Sequence, residues 1–220
     1  LGSAVAKVSH DLRNILTSAQ LFTGRIEGSE DPLVRRMAPK LVGSITRAVS
    51  LCEGTLAFGR AEEPAPTLTV FALSGIVDDV FASERLADGA DVLTFEEDIP
   101  PALTLRADPE QMFRVITNLV RNARQALTAA GTPGAICVKA RELDDQWCIT
   151  VSDTGLGLPP KARENLFTPF QGGTRKGGSG LGLAISAELV RGHGGTLSLS
   201  HSNETGTTFE IRLPKGDGTV

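Results

Sequence analysis

The sequence predicts an α+β protein in two parts: an N-terminal antiparallel helical hairpin that pairs into a dimeric four-helix bundle, then one mixed sheet with helices on one face. Three observations predict it. Apolar residues over roughly the first quarter of the chain step in heptads, a charged and proline-bearing break follows at residues 62–66, and beyond it strand-like and helix-like patterns mix without strict βαβ alternation.

Val5, Val8, Leu12, Ile15, Ala19, Phe22 and Ile26 step 3, 4, 3, 4, 3, 4, an a/d seam that predicts one helix over about residues 3–27. Gly28-Ser29-Glu30-Asp31-Pro32 ends it. Asp31 suits the N-cap of a second helix and Pro32 its first position, where a missing N–H is no loss. That helix carries Val34, Ala38, Leu41, Ile45, Ala48 and Cys52, with Leu51, Leu56 and Phe58 widening the stripe. Pro39 inside it removes one backbone hydrogen bond, which predicts a kink near residues 35–39. Two helices cannot bury such stripes on both flanks, so the pattern predicts a homodimer.

Glu62-Glu63-Pro64-Ala65-Pro66 reads as a linker and sets the boundaries: a hairpin over 1–63 and a second domain over 67–216. In the second domain, strands are expected at 67–72, 92–96, 103–106, 135–142, 147–152, 196–200 and 207–213, and helices at 74–88, 108–130 and 181–192.

A formal net charge of −4, with both signs spread along the chain, offers no basic face for nucleic acid and no polybasic membrane anchor. No apolar run reaches the roughly 20 residues that cross a bilayer. Cys52, Cys137 and Cys148 form no CxxC pair and have no histidine at zinc-ligand spacing; packing roles in a reducing cytoplasm are expected. His193 among glycines at a helix end suggests capping, and Trp147 suggests packing.

Four motifs carry chemistry. His10, in Ser9-His10-Asp11-Leu12-Arg13-Asn14, falls at heptad position f, facing water. Much of an exposed imidazole is neutral near pH 7 and offers a nucleophilic nitrogen, which Asp11 can support through the other ring N–H. Asn14, four residues on, can orient a water. The plainer alternative is a solvated histidine on a polar face.

Asn118 and Asn122 lie at i and i+4 of an expected helix and can present amide oxygens to Mg²⁺ and its phosphate-bound waters. Asp153-Thr154-Gly155-Leu156-Gly157 follows an apolar strand; its carboxylate can accept the exocyclic amine of adenine, and its glycines let backbone approach the ring. Gly177-Gly178-Ser179-Gly180-Leu181-Gly182-Leu183 opens a helix whose N-terminal amides favour phosphate oxygens. Between the last two, residues 167–176 read as a lid, with Arg175 and Lys176 able to approach phosphates. Asparagine pairs and glycine turns are each common on their own. No GxxxxGK[ST] is present, which excludes a P-loop ATPase.

The order and spacing of these motifs resemble the bacterial sensor histidine kinases of two-component systems: a His box at His10, an N box at Asn118–Asn122, glycine boxes at Asp153–Gly157 and Gly178–Leu183, an F box at Phe167–Phe170, and the closing Gly206-Thr207-Thr208-Phe209 strand. The resemblance implies a dimeric phosphotransfer hairpin followed by an α/β sandwich ATPase domain. It implies His10 as phosphoacceptor, Asp11 as its acid/base partner and Asn14 as the residue that positions water to dephosphorylate a response regulator. It also implies Mg²⁺ on Asn122 with Asn118, adenine on Asp153, and an ATP pocket shaped by Gly155, Gly157, Arg175, Lys176, Ser179, Gly180, Leu181, Gly182 and Leu183. The partners implied are a second copy and the receiver domain of a response regulator. The start at Leu1, without initiator methionine or signal peptide, reads as a cytoplasmic fragment whose upstream sensory part, membrane-anchored or not, has been removed.

Two departures from the family stand out. Ile15 replaces the usual proline five residues after the histidine, and Gln125 the usual lysine three residues after the second asparagine, which leaves one phosphate contact either weaker or supplied by Arg124 or the lid. Two other classes compete. An inert phosphotransfer adaptor should have eroded glycine boxes, and these are intact; a chaperone- or gyrase-type ATPase usually carries glutamate where Asn118 stands and has no histidine-bearing hairpin.

Overall fold

A computed structural model describes residues 31, 34, 37, 64–88, 93–131, 133–169 and 180–216. The expected hairpin seam, the kink at Pro39, Cys52 and most of the lid lie outside them. One detail where the second helix is expected is described: Val34 N–H donates to Asp31 Oδ1 at 3.4 Å, a long version of the bond an N-cap aspartate makes to the third helical residue. Chain contacts divide the protein into two units, residues 1–64 with 166–182 and residues 65–165 with 183–220.

The second unit is built on two sheets. Strands β1 (Thr69–Ala72) and β3 (Thr104–Ala107) pair antiparallel. Strands β2 (Leu93–Asp98), β4 (Gly134–Glu142), β5 (Gln146–Asp153), β6 (Thr196–Asn203) and β7 (Gly206–Pro214) form a five-stranded sheet in the order β2-β4-β5-β7-β6. Only β2 and β4 run parallel, so the sheet is mixed as the sequence predicts. Alternation along the strands sends Ile136, Val138 and Ala140, Trp147, Ile149 and Val151, and Phe209, Ile211 and Leu213 to one buried face. Cys137, Lys139, Arg141, Cys148, Thr150, Glu210 and Arg212 point to the more open face, the division expected of a sheet covered on one side. Burial raises the pKa of both Cys137 and Cys148 above the ordinary thiol value, so neither is an activated nucleophile.

Helices α1 (Leu73–Asp88), α2 (Pro109–Ala130) and α4 (Gly182–Gly192) supply the apolar cover. α2 is fixed at both ends. Asp108, extended at φ −86°, accepts at Oδ1 from the N–H groups of Glu110 and Gln111, each at 3.0 Å, and Pro109 follows it. At the other end Gly131 adopts φ 66°, and its N–H reaches the carbonyls of Leu127 and Thr128. Between the caps, Met112, Val115, Ile116, Leu119, Val120, Ala123 and Leu127 form the buried stripe.

The structure departs from the expectation in three places. The one mixed sheet is two, because β1 and β3 pair only with each other and stand apart from the five-stranded sheet. A single turn, α3 (Pro160–Arg163), begins after Pro159 and is too short to show periodicity in the sequence. β6 extends to Asn203, past an irregularity between Leu199 and His201 where the polar run Ser200-His201-Ser202 hides the strand signal.

Candidate functional site

The site begins on one flank of α2. Asn118, Asn122 and Ala126 recur every four residues, so they share a face beside the buried stripe. Both asparagines are half-buried. Asn118 donates from Nδ2 to Ser186 Oγ of α4 at 3.2 Å, and Ser186 is fully buried. Ala126, one turn beyond Asn122, lies where a Cβ on Gly155 would meet it at 3.8 Å, so the loop after β5 passes over this same face.

Asp153 closes β5 with its side chain on the buried face, 9% exposed. Its Oδ1 accepts from Gly155 N–H at 2.8 Å. Thr154 continues the ladder, donating its N–H to Ala135 O at 3.1 Å and accepting Ala135 N–H on Oγ1 at 2.9 Å. A Cβ at Gly155 would stand 2.8 Å from Asp153 Oδ1, closer than real Cβ atoms come. Glycine at 155 therefore leaves the carboxylate its position.

Gly157 and the β6–β7 turn secure the rest of the loop. Gly157 adopts φ 70°, and a Cβ there would overlap the carbonyl of Asn203. Leu158 N–H donates to Ser202 Oγ at 2.8 Å, and Gly206 brings the hairpin close against the carbonyl of Asp153. Gly157 thus serves a backbone-to-backbone approach to the hairpin. Thr207, directly opposite Asp153 in the β5–β7 register, is buried on the same face and adds a hydroxyl beside the carboxylate. Sequence reasoning assigned no role to Thr207 or Ser186; the first lies in a strand that the family resemblance quotes only as a terminus, and the second is one small residue in an apolar helix.

Of the second glycine box, Gly180 has φ 70°, Leu181 is buried, Gly182 is the first residue of α4 and Leu183 is half-buried. Ser179, Arg175, Lys176, His10, Asp11 and Asn14 lie outside the described residues.

Arg124 is not available to replace the missing lysine. Its Nε binds Glu84 Oε2 of α1 at 2.6 Å, and Arg121 Nε reaches Oε1 of the same carboxylate at 3.4 Å. Glu84 is only 3% exposed at its side chain. Withdrawing Arg124 would leave this buried carboxylate only the longer contact with the more exposed Arg121, so the pair holds the Arg124 guanidinium at α1. Gln125, not Arg124, shares the face of Asn118 and Asn122.

Further down the molecule, His193 caps α4 as expected and does more. Its Nδ1 lies 2.9 Å from Leu189 O, and Nε2 accepts Asp108 N–H at 3.0 Å, which fixes the proton on Nδ1. Asp108 Oδ2 accepts Thr67 N–H at 2.9 Å, so one residue joins the start of α2, the end of α4 and the chain just after the linker. Partial burial pushes the Asp108 carboxyl up, but the N–H donors of Gln111, Thr67 and Glu110 outweigh it and hold its pKa below the ordinary value.

Among the described residues no group of three or more His, Cys, Asp or Glu side chains is placed to hold a metal ion. The donors on the α2 face are instead neutral amides, which suit an ion that takes one or two protein oxygens and completes its shell with phosphate and water, as Mg²⁺ does. A carboxylate at the end of a strand, amides on an adjoining helix face and a glycine loop passing between them can read a nitrogenous ring at one end and a phosphate-bound cation at the other.

A family model described as the histidine kinase-, DNA gyrase B- and HSP90-like ATPase matches residues 107–217. The sensor-like histidine kinase SenX3 of Mycobacterium tuberculosis is 30% identical over 220 residues, covering 96% of this chain and 53% of SenX3. The chain therefore spans about half the length of that curated relative. Full-length ShkA, solved in complex with AMPPNP, superposes with a TM-score of 0.74 at 23% identity, covering all of this chain and 47% of ShkA. ThkA, solved in complex with the response regulator protein TrrA, gives a TM-score of 0.68 at 24% identity and covers 98% of this chain and 62% of ThkA. These two likenesses establish the fold.

Proposed function

Because this chain belongs to the histidine kinase-, DNA gyrase B- and HSP90-like ATPase family, as a sensor histidine kinase, we propose that it phosphorylates its own His10 from ATP and passes the phosphoryl group to an aspartate of a response regulator. The observation that carries this reading is the convergence of Asp153, Gly155 and the Asn118–Asn122 face on one side of α2. Asp153 accepts the exocyclic amine of adenine, with Thr207 beside it. Gly155 keeps the carboxylate in place and admits the ring. Asn122, assisted by Asn118, holds Mg²⁺, which neutralises phosphate charge. The glycine box Ser179-Gly180-Leu181-Gly182-Leu183 and the lid cations Arg175 and Lys176 bind the phosphates.

In the transfer, a neutral ring nitrogen of His10 bonds to the γ-phosphorus as the bond to the β–γ bridging oxygen breaks; ADP leaves, and Asp11 stabilises the imidazolium. Placement and charge neutralisation supply most of the rate, so no strong base is needed on the nucleotide side. Residues 1–63 act as the dimeric phosphotransfer hairpin and residues 67–216 as the ATP-binding domain. Asn14 orients a water for the reverse service, dephosphorylation of the regulator. No helix among the described residues is long and apolar enough to cross a membrane; the proposed setting is the cytoplasm.

Incubation with ATP and Mg²⁺ should give an acid-labile, base-stable phosphoryl label that disappears in His10→Ala. A label that persists in that variant removes His10 from its role. Asn14→Ala should keep the label while losing phosphatase activity toward the regulator.

A further inference from the structure

We propose that Ser202 is a positioning residue for the nucleotide: a β-bulge turns its hydroxyl onto the site face of the sheet, where it holds the far end of the adenine loop, residues 153–158, in place. The proposal deepens the ATP reading above and rests on it. Along β6 the inward residues are Leu197 and Leu199, opposite Ile211 and Phe209. Strict alternation would send His201 inward and Ser202 to the open face. The register instead steps from Leu199 opposite Phe209 to His201 opposite Thr208, so Ser200 is an extra residue and the side chains beyond it change face. Ser202 therefore stands opposite Thr207, which stands opposite Asp153, and the three lie in a row on one face of the sheet. Thr207 and Asp153 are buried there and Ser202 is half-buried.

The bond that Ser202 makes on that face has one possible sense. A backbone N–H can only donate, so Leu158 N–H donates and Ser202 Oγ accepts, at 2.8 Å. The carbonyl of the same leucine accepts from Arg163 Nε of α3 at 2.9 Å, in an exposed bond. Leu158 is thus gripped at both of its backbone groups, while Asp153 fixes the start of the loop in the β5–β7 ladder. Between these ends residues 154–158 form no helix or strand, and two of them are glycines, whose backbone loses the most freedom on ordering. A loop loose at one end has to be ordered as the base binds, and that lost entropy weakens binding. Ser202 orders the loop beforehand. It acts through Leu158 and touches no substrate atom.

The test compares the affinity of the full chain for a non-hydrolysable ATP analogue, in EDTA and in saturating Mg²⁺, for the parent, Ser202→Ala and Ser202→Thr. Alanine leaves Leu158 N–H without its acceptor, whereas threonine keeps a hydroxyl and suits a strand. Ser202→Ala is expected to bind about fivefold more weakly, the scale of one net hydrogen bond, and by the same factor with and without Mg²⁺, because the loop meets the base and not the metal. Ser202→Thr is expected to bind within about twofold of the parent. In the nucleotide-free protein, amide hydrogen exchange at Gly155 and Leu158 should quicken in Ser202→Ala alone. A bond that served folding only would lower the melting temperature and leave the affinity of the folded protein unchanged, so parent-like affinity in Ser202→Ala overturns the positioning role. So do unchanged exchange, equal losses in both variants, or a loss confined to Mg²⁺. Each of these leaves the ATP reading intact; a parent with no saturable binding of the analogue overturns that reading, and this inference with it.

Discussion

Two glycines two residues apart, Gly155 and Gly157, are required for different physical reasons, and the difference is measurable. At Gly155 a Cβ would press on the tip of a side chain, Asp153 Oδ1, with its other neighbours at ordinary contact distance of 3.6–3.8 Å. A side-chain carboxylate can swing aside, so Gly155→Ala should leave thermal stability nearly unchanged and weaken ATP binding by about tenfold, roughly the worth of one charge-assisted hydrogen bond. At Gly157 the obstacle is backbone, the Asn203 carbonyl, and φ is 70°. Neither can yield locally, so Gly157→Ala should cost about 1–3 kcal/mol of folding stability. Paired melting curves and nucleotide titrations separate the two; equal losses of stability in both variants would contradict the assignment.

The elements were legible to different degrees, and Asp108 shows why. An aspartate before Pro109 and an apolar periodicity ending at Gly131 mark α2 in the sequence almost to the residue, because caps and stripe are local properties. That Asp108 also accepts Thr67 N–H, and that its own N–H meets His193, depends on contacts 41 and 85 residues apart. No local pattern encodes them. The same limit hid Ser186 behind an apolar helix and suggested Arg124 for a phosphate when Glu84 of α1 already held it. A strongly favoured carboxylate has a pH signature. The Asp108 pKa is lowered in the folded protein, so its contribution is complete above the unfolded value of about 3.9 and is lost as pH falls through the folded one. Asp108→Asn keeps a good N-cap but sets an amide against the Thr67 N–H, and should be less stable by about 1 kcal/mol at neutral pH. The gap to the parent should close as pH falls below about 4. Urea unfolding of both proteins from neutral pH to pH about 3 reads this directly, since the comparison cancels the other titrating groups; a gap constant with pH would mean that the charge of Asp108 contributes nothing.

At the scale of the whole molecule, the motifs divide unequally between its parts. Asn118, Asn122, Asp153, Gly155, Gly157, Ser186 and Thr207 all belong to the unit of residues 65–165 and 183–220. His10 belongs to the other, which also takes in residues 166–182 and with them the lid and most of the second glycine box. On the proposed reading, nucleotide recognition is a property of the second domain, while phosphorylation requires a tethered encounter across the Glu62–Pro66 linker. A short linker holds its two ends at an effective concentration of the order of millimolar. A piece beginning at residue 65 should therefore bind ATP analogue within about twofold of the whole chain, because the linker contributes encounter rather than pocket. It should label no residue of its own. Mixed with a separate piece of residues 1–64, it should phosphorylate His10 at a rate that rises linearly with the concentration of either piece and, at micromolar concentrations, falls about a thousandfold short of the intact protein. Radiolabel time courses over a concentration series measure the slope. A rate for the mixed pieces equal to that of the whole chain would show that the two domains associate without the linker. Label on the piece that lacks residues 1–64 would move the acceptor out of the hairpin.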